Sequence, residues 1–554
     1  MKLISFTKSK NLSAEEKTLL KKDRLLLLLS GVLTGISFTP FPFSFTLLLF
    51  VSFIPYLFVV NRRNSLLQVN RASYLFFFVF SLITIYWVGS WQSKADPFLM
   101  IGGGVLVFFY PVVLLINSTL FFLSQKIFGK EKSFWLFPIF WVTGEYILTL
   151  TDLKFPWLTL GHSLAKFSLF IQIADVVGSF GLSVIILYIN VFLFNAIKNY
   201  KSDRKTFYKN ISFAVVLFII PLIYGIYKMN ELQNSEQKTI RVGVVQPNLD
   251  PWEKWELGGI DAILNNYIEL SEKCVEQGAK LIIWPETALP VYLLSGTYSD
   301  VVDSIYSFLQ KNNVYLLTGM PDYIIHYNNP PDDAKLSKEG NFYYSTYNAI
   351  LLFNPNSYEV QRYGKMHLVP LGEKVPFVDA LPFLADWFKW GVGLSGWNVG
   401  KDTTVFKLKI ENDTIKVAGL VCYESVFPDF VTNFVRKGAQ FIAVVTNDSW
   451  YGNSSGPYQH KEFAALRAVE NRRAVVRAAN GGISCLINKF GITEYETSMF
   501  TRTSFVVDIQ TNDEKTFYSE HPLIIPILSS AFSIWIIGIN FLLWLKRKSK
   551  SDSD

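Results

Sequence analysis

Cysteine is scarce in this chain, with three residues, Cys274, Cys422 and Cys485, in 554. Their wide spacing gives neither a Cys-x-x-Cys metal signature nor an even-numbered disulfide framework, so neither a metal nor a cofactor is expected. Charge is sparse as well. Charged residues make up 18% of the chain against 50% hydrophobic, with 48 Phe, which is too apolar for an ordinary soluble enzyme of this length. There is no basic stripe interleaved with aromatics. The net charge of +7 comes from Lys and Arg clustered beside hydrophobic runs, which excludes nucleic acid as a partner. No small-x-small cleavage site follows the apolar stretch from Leu25 to Thr39, and a second apolar run, Phe43 to Val60, comes directly after Pro40 and Pro42. The pair therefore reads as a retained hairpin of two short spans rather than a removable leader. Internal repeats and low-complexity segments are also absent.

What is present is a membrane pattern followed by a globular one. Residues 1 to 24 form a polar, basic tail, and the two runs above are followed by others at about 72 to 90, 99 to 124, 134 to 150, 167 to 196 and 211 to 227. Most approach the ~20 residues a bilayer-crossing helix needs. Seven spans over 25–228, with an eighth at 523–545 before a basic tail at 546–554, give about eight transmembrane helices. Basic residues concentrate in alternate loops, at Arg62, Arg63 and Arg71, at Lys126, Lys130 and Lys132, and from Lys198 to Lys209. The positive-inside rule places these loops and both termini in the cytoplasm, and everything from residue 230 to the last span outside it. Glu145, near the end of a span, is costly in lipid and should face protein or water. The turn Phe155-Pro156-Trp157-Leu158 is aromatic, as an interfacial segment is expected to be.

From about 238 to 512 short apolar runs alternate with amphipathic ones. Strands are expected at 241–246, 280–286, 314–320, 347–353, 416–422, 441–447, 477–487 and 504–509, and helices at about 259–279, 298–312 and 456–474. Such alternation indicates a layered α/β domain. Two of these segments end on reactive groups: Val417 to Val421 leads into Cys422, Tyr423 and Glu424, and Lys280 to Trp284 leads to Glu286. Tyr363-Gly364-Lys365 places a lysine just before another apolar turn, Met366 to Pro370. Alone, each has a bland account, as a packed thiol, a solvated strand end or a surface charge. Together they supply a base, a cation and a nucleophile. Cys274 and Cys485 read as packing residues.

The Glu286, Lys365, Cys422 set resembles the triad of the nitrilase (carbon-nitrogen hydrolase) superfamily. The segments Leu368-Val369-Pro370-Leu371-Gly372-Glu373, Thr446-Asn447-Asp448-Ser449-Trp450-Tyr451-Gly452 and Gly456-Pro457-Tyr458-Gln459-His460 are similar to those of its membrane-embedded branch, the apolipoprotein N-acyltransferases. Leu371, Ser449, Tyr451 and Ala474 depart from the usual residues of that branch without removing a reactive group. The resemblance implies an αββα sandwich joined to a polytopic helical membrane domain. It implies acyl transfer from a membrane phospholipid to Cys422 as a thioester, then to the α-amine of a diacylglyceryl-modified lipoprotein, in a bacterial inner membrane with the reacting domain on the outer side.

A thiolate suits that task as both nucleophile and leaving group. Because free cysteine has a pKa near ~8.5, it needs a base or a cation nearby. Glu286 is the expected base, and Lys365 with the N–H of Tyr423 the expected oxyanion donors. Glu373 and Glu424 are expected to support Lys365 and the acceptor amine, or else to pair with Arg467 or Arg472 as structural ions. Trp255, Asn447 and Trp450 are expected near the lipid. Residues 376–390 are unusually apolar for a connection, and Trp387 and Trp390 within them fit an arm dipping into the interface. A monomer is expected. Two rival readings are a membrane-tethered amidase, with water as acceptor, and an inactive lipoprotein-binding scaffold.

Overall fold

The long apolar runs fold as helices, because a chain in lipid must satisfy its backbone polar groups within the segment. The computed structural model describes residues 13–233, 238–252, 259–338, 340–370, 372–377 and 396–551. Among them, seven helices are long and apolar enough to cross a membrane, Phe43–Asn61, Leu66–Gly89, Leu99–Phe128, Lys130–Leu150, Ala174–Asn199, Arg204–Gln233 and Ile524–Ser549. The first expected span, at 25–39, lies largely in the helix Ala14–Ile36, which begins on a capping box between Ser13 and Glu16. Its first half carries Lys17, Lys21, Lys22, Asp23 and Arg24, so its apolar part is too short to count by length and composition. It nevertheless belongs to the bundle. Thr34 bonds Ser52 at 3.0 Å, and buried Asp23 pairs with both Arg62 and Arg63.

The expected span at 167–196 is also modified. A single turn, Ser168–Ile171, precedes Ala174–Asn199, and the latter is broken at Gly178, where φ is +62°. Only glycine adopts that conformation cheaply.

Beyond the bundle, thirteen strands among the described residues form two sheets. The first contains β1 (Thr239–Gln246), β2 (Leu281–Trp284), β3 (Tyr315–His326), β4 (Lys335–Leu336), β5 (Tyr343–Asn354), β6 (Ser357–Gly364) and β13 (Thr503–Gln510), in the order β13-β1-β2-β3-β5-β4 with β6 also on β5. The second runs β12 (Thr493–Glu496), β11 (Cys485–Ile487), β10 (Val475–Ala479), β9 (Phe441–Thr446), β8 (Asp413–Val421), β7 (Val405–Ile410). Side-chain alternation builds the layers. Leu281 and Ile283 join the large core shared with β8 and β9, whereas Ile282 and Trp284 pack with Ile263, Tyr267, Ile305 and Leu309 of the helices Ile260–Glu276 and Ser299–Asn312. The helices Pro428–Arg436 and Ser455–Asn471 cover the second sheet, giving the expected αββα order.

The expected single strand at 477–487 is two antiparallel strands, β10 and β11, joined through Asn480-Gly481-Gly482. A turn rich in Gly and Asn breaks the run. Strands β4, β6, β7 and β12 and the Pro428–Arg436 helix were not legible as apolar runs, since they lie at edges or carry alternating charge.

Candidate active site

The reactive side chains are delivered by strand ends. Cys422 directly follows β8 with φ at +50°, the start of a tight turn over Cys422–Val426 that points the residue off the end of the sheet. Glu286 follows β2, and its backbone lies so close to β3 that a Cβ on Gly319 would fall 2.5 Å from the Glu286 Cα. Glycine is required there to let Glu286 approach. Lys365 follows β6 and is tied to β5, its N–H donating to the Asn348 carbonyl at 2.8 Å.

Lys365 is buried and Glu286 nearly so. The Lys365 ammonium lies 3.5 Å from Glu286 Oε1 and 2.8 Å from Glu373 Oε2. Burial alone would push its pKa down, but Glu373 and then Glu286 outweigh that and hold it above the ordinary lysine value. Asn348 Nδ2 donates to both Glu286 Oε1 and Glu373 Oε1 at 2.8 Å, and the Asn447 backbone N–H donates to Glu286 Oε2 at 3.1 Å. Both carboxylates are thereby fixed around one cation. The Cys422 thiol is pushed well up, first by burial and then by Glu286, with Lys365 opposing. Cys422 therefore rests as a protonated thiol.

Glu424 has a different task. Its Oε1 accepts from the Tyr363 hydroxyl at 2.6 Å and from the N–H groups of Met366 and His367, and its Oε2 accepts from Val421 N–H at 2.8 Å. Fully buried, it pins the turn after Lys365 to the strand before Cys422. Neither Glu373 nor Glu424 takes the alternative partners. Arg467 pairs with Glu470 at 2.9 Å and Arg472 with Asp175 at 2.6 Å, which locks the Ser455–Asn471 helix to the membrane bundle.

Two cavities meet at Cys422. One, of about 290 Å³, lies against the membrane helices and is walled by side chains such as Leu106, Val113, Leu148, Phe155, Trp157 and Tyr423. The other, of about 150 Å³, holds Glu286, Lys365, Glu373, Asn348 and Asn447, with Trp252, Trp397 and Trp450 at its sides. Cys422, Leu99, Val369, Gly372 and Tyr451 line both.

Most of the residues expected at the site are brought together here. Tyr423 projects toward the bundle, its hydroxyl donating to the Lys154 carbonyl at 2.7 Å. Asn447 contributes its backbone to Glu286, and the Trp450 ring packs edge-on against Trp252 at 4.8 Å. Trp255, Trp387 and Trp390 lie outside the described residues. Glu145 faces protein, accepting from Trp141, Leu160 and Ser183. Cys274 and Cys485 are buried free thiols remote in role, the first wedged against Gly243.

Sequence reasoning missed Asn348, although a lone amide inside the apolar run of β5 is its signal. It placed Asp448 at the rim of the site with Asn447 and Trp450 but gave no role to His460. Ligand-capable atoms of Cys422, Asp448 and His460 lie within 4.8 Å of one another, yet both ring nitrogens of His460 already have protein partners.

Comparison with known proteins follows the same division. The Carbon-nitrogen hydrolase family profile matches residues 241–517, and the Apolipoprotein N-acyltransferase N-terminal domain profile matches residues 30–192. A protein named Apolipoprotein N-acyltransferase from Chlorobaculum tepidum is 33% identical over 92% of this chain and 94% of its own, and one of that name from Geobacter metallireducens is 28% identical over 90% and 92%. Among solved structures, an amidase of the nitrilase superfamily from Nesterenkonia AN1 is 19% identical, with a TM-score of 0.34, covering 52% of this chain and 95% of that one.

Proposed function

The chain belongs to the apolipoprotein N-acyltransferase family, and from that premise we propose that Cys422 carries an acyl chain as a thioester from a membrane phospholipid to the α-amine of an N-terminal diacylglyceryl-cysteine. The observation that carries this reading is the position of Cys422 on the border between an apolar cavity walled by membrane helices and a polar one holding Glu286 and Lys365. A fatty acyl chain fits the first and its ester carbonyl the border.

In the first half-reaction Glu286 takes the thiol proton as sulfur attacks the ester carbonyl. The oxyanion is stabilised by Lys365, whose charge Glu373 keeps in place, and by the N–H of Tyr423. Collapse breaks the ester C–O bond, and the glycerol oxygen leaves with the proton from Glu286 as a lysophospholipid. In the second, the acceptor amine attacks the thioester, Glu286 takes a proton from nitrogen, and the C–S bond breaks to return a thiol. One ester is exchanged for one amide. Exclusion of water protects the thioester between the two steps.

Phe109 and Leu153 line the apolar cavity while remaining substantially exposed, so it communicates with the lipid-facing surface. Lys130 donates to the Arg63 carbonyl and Lys198 pairs with Glu131, gathering the basic loops at one end of the bundle. The opposite end carries the turn whose Phe155 stacks on Tyr423. By the positive-inside rule the site is extracytoplasmic in a cytoplasmic membrane.

The test is to incubate purified protein with acyl-labelled phospholipid and then with a diacylated lipopeptide or with water alone. Label should move to protein and then to the peptide amine. Rapid release to water would establish the amidase alternative, and absence of protein-bound label would exclude the acyl-enzyme. A cysteine probe at Asn234 should label from outside intact cells and one at Ser549 should not.

A further inference from the structure

The carbonyl of Cys422 and the N–H of Tyr423 are opposite ends of one planar trans peptide, so fixing one end aims the other. That carbonyl is held unusually firmly. His460 Nε2 lies 3.0 Å from it, and the Ser425 hydroxyl donates to it at 2.9 Å. On its other side the His460 ring donates Nδ1–H to Asp448 Oδ1 at 2.7 Å, while Asp448 Oδ1 also takes the Thr446 hydroxyl at 3.0 Å and Oδ2 takes Arg477 at 2.8 Å. His460 Nε2 also lies 2.9 Å from the Ser425 hydroxyl, so ring, hydroxyl and Cys422 carbonyl form one buried polar network. Burial opposes the charge on Asp448, but His460 and then Arg477 outweigh it and keep its pKa below the ordinary range.

There is reason for such a clasp. Cys422 sits at φ +50°, where a residue with a Cβ is strained. Unless something holds the peptide, rotation about it relieves the strain and swings the Tyr423 N–H away from the reacting carbon. The neighbouring residue anchors the clasp to the bundle. Gln459 Oε1 accepts from the indoles of Trp87 at 3.1 Å and Trp157 at 2.7 Å, and its Nε2 donates to the carbonyls of Thr39 and Thr84.

We propose that His460, backed by Asp448 and Arg477 and assisted by Ser425, is a positioning residue that clasps the Cys422 carbonyl so that the Tyr423 N–H points into the oxyanion hole. This rests on the acyl-transfer reading of the same site. It is tested on the full-length protein by comparing two reactions of one thiol. Alkylation by iodoacetamide displaces iodide and needs no oxyanion donor, whereas acylation passes through a tetrahedral oxyanion.

His460→Ala should slow single-turnover acylation by about 100-fold, the loss typical of one oxyanion donor, both from phospholipid and from p-nitrophenyl butyrate. Alkylation should stay within about threefold. His460→Gln, which restores a donor, should recover much of the acylation rate. Ser425→Ala removes only half the clasp and should show the same asymmetry at smaller size, which keeps the test open if His460→Ala folds poorly. Parallel losses of alkylation and acylation, or unchanged acylation in both variants, would overturn the proposal. A wild-type thiol that takes acyl groups from the soluble ester but not from phospholipid would sink the donor assignment while leaving the ester arm to decide the clasp.

Discussion

The two cavities that meet at Cys422 are built on opposite rules. The membrane-side cavity is walled by whole helix faces, and on the Pro97–Phe128 helix its residues fall at 99, 102, 103, 106, 109, 110 and 113, the spacing of a single face. Those fourteen steps cover about 21 Å at 1.5 Å per residue, against about 15 Å for one leaflet of the ~30 Å hydrocarbon core. The polar cavity is walled by strand ends, and its Glu286, Lys365 and Glu373 are joined to one another, to the Asn348 amide or to backbone N–H groups. In the first, shape and length are free to vary because most of the wall is apolar. In the second, moving one group disturbs every other, because an unpaired buried charge is so costly. In the acyl-transfer reading proposed above, the border thiol takes its reactivity from one side and its substrate from the other.

The sharpest way to break this comparison is Cys422→Ala, which should leave both cavities in place and abolish protein acylation and transfer altogether. Turnover near the wild-type level would end the acyl-enzyme reading. Glu286→Gln and Lys365→Met should each cost about 100- to 1,000-fold in acylation, with opposite effects on the thiol itself. Since Glu286 raises the Cys422 pKa and Lys365 lowers it, Glu286→Gln should bring the alkylation pH profile down while Lys365→Met moves it up. Shifts in the same direction for both would show that burial alone governs the thiol.

On the apolar side the effect should be smaller and selective. A side chain added at Gly102 meets open space within the cavity wall, so Gly102→Leu should fold and fill part of the chamber. The expected result is a loss of about tenfold in kcat/KM for long-chain donors relative to short ones, since each methylene in an apolar pocket carries a modest energy. Equal losses for all chain lengths would place the acyl chain elsewhere. The smallest effect on chemistry is expected at the seam. Gln459→Leu strands two indole N–H groups, each costing about 1 to 3 kcal/mol when left buried and unpaired. Thermal stability should fall while the alkylation rate of Cys422 changes little, and a rise in stability would show that these bonds are dispensable.

Local pattern was a good guide wherever one physical rule dominated. Helix placement in the bundle follows from apolar run length, and β1, β2, β8 and β9 follow from unbroken apolar segments that both faces of a buried sheet require. It failed where two rules competed. The first helix mixes a charged half with a short apolar half, and only Asp23 meeting Arg62 and Arg63 shows how it is accommodated. Edge strands such as β6, with Glu359, Gln361 and Arg362, carry no apolar run to detect.

For this protein, the sequence by itself determined the order of membrane helices and sandwich, and named a carboxylate and a thiol at the ends of apolar segments and an ammonium just before an apolar turn, because run length, periodicity and residue chemistry are local properties. Only the tertiary structure decided that Glu373 serves Lys365, that Glu424 clamps the turn to the strand, and that His460 reaches the Cys422 carbonyl from 38 residues away. Glu373, Glu424 and His460 are each a polar side chain whose role is set by which acceptors and donors surround it once buried. Those neighbours come from distant strands and helices, and no local window of sequence contains them.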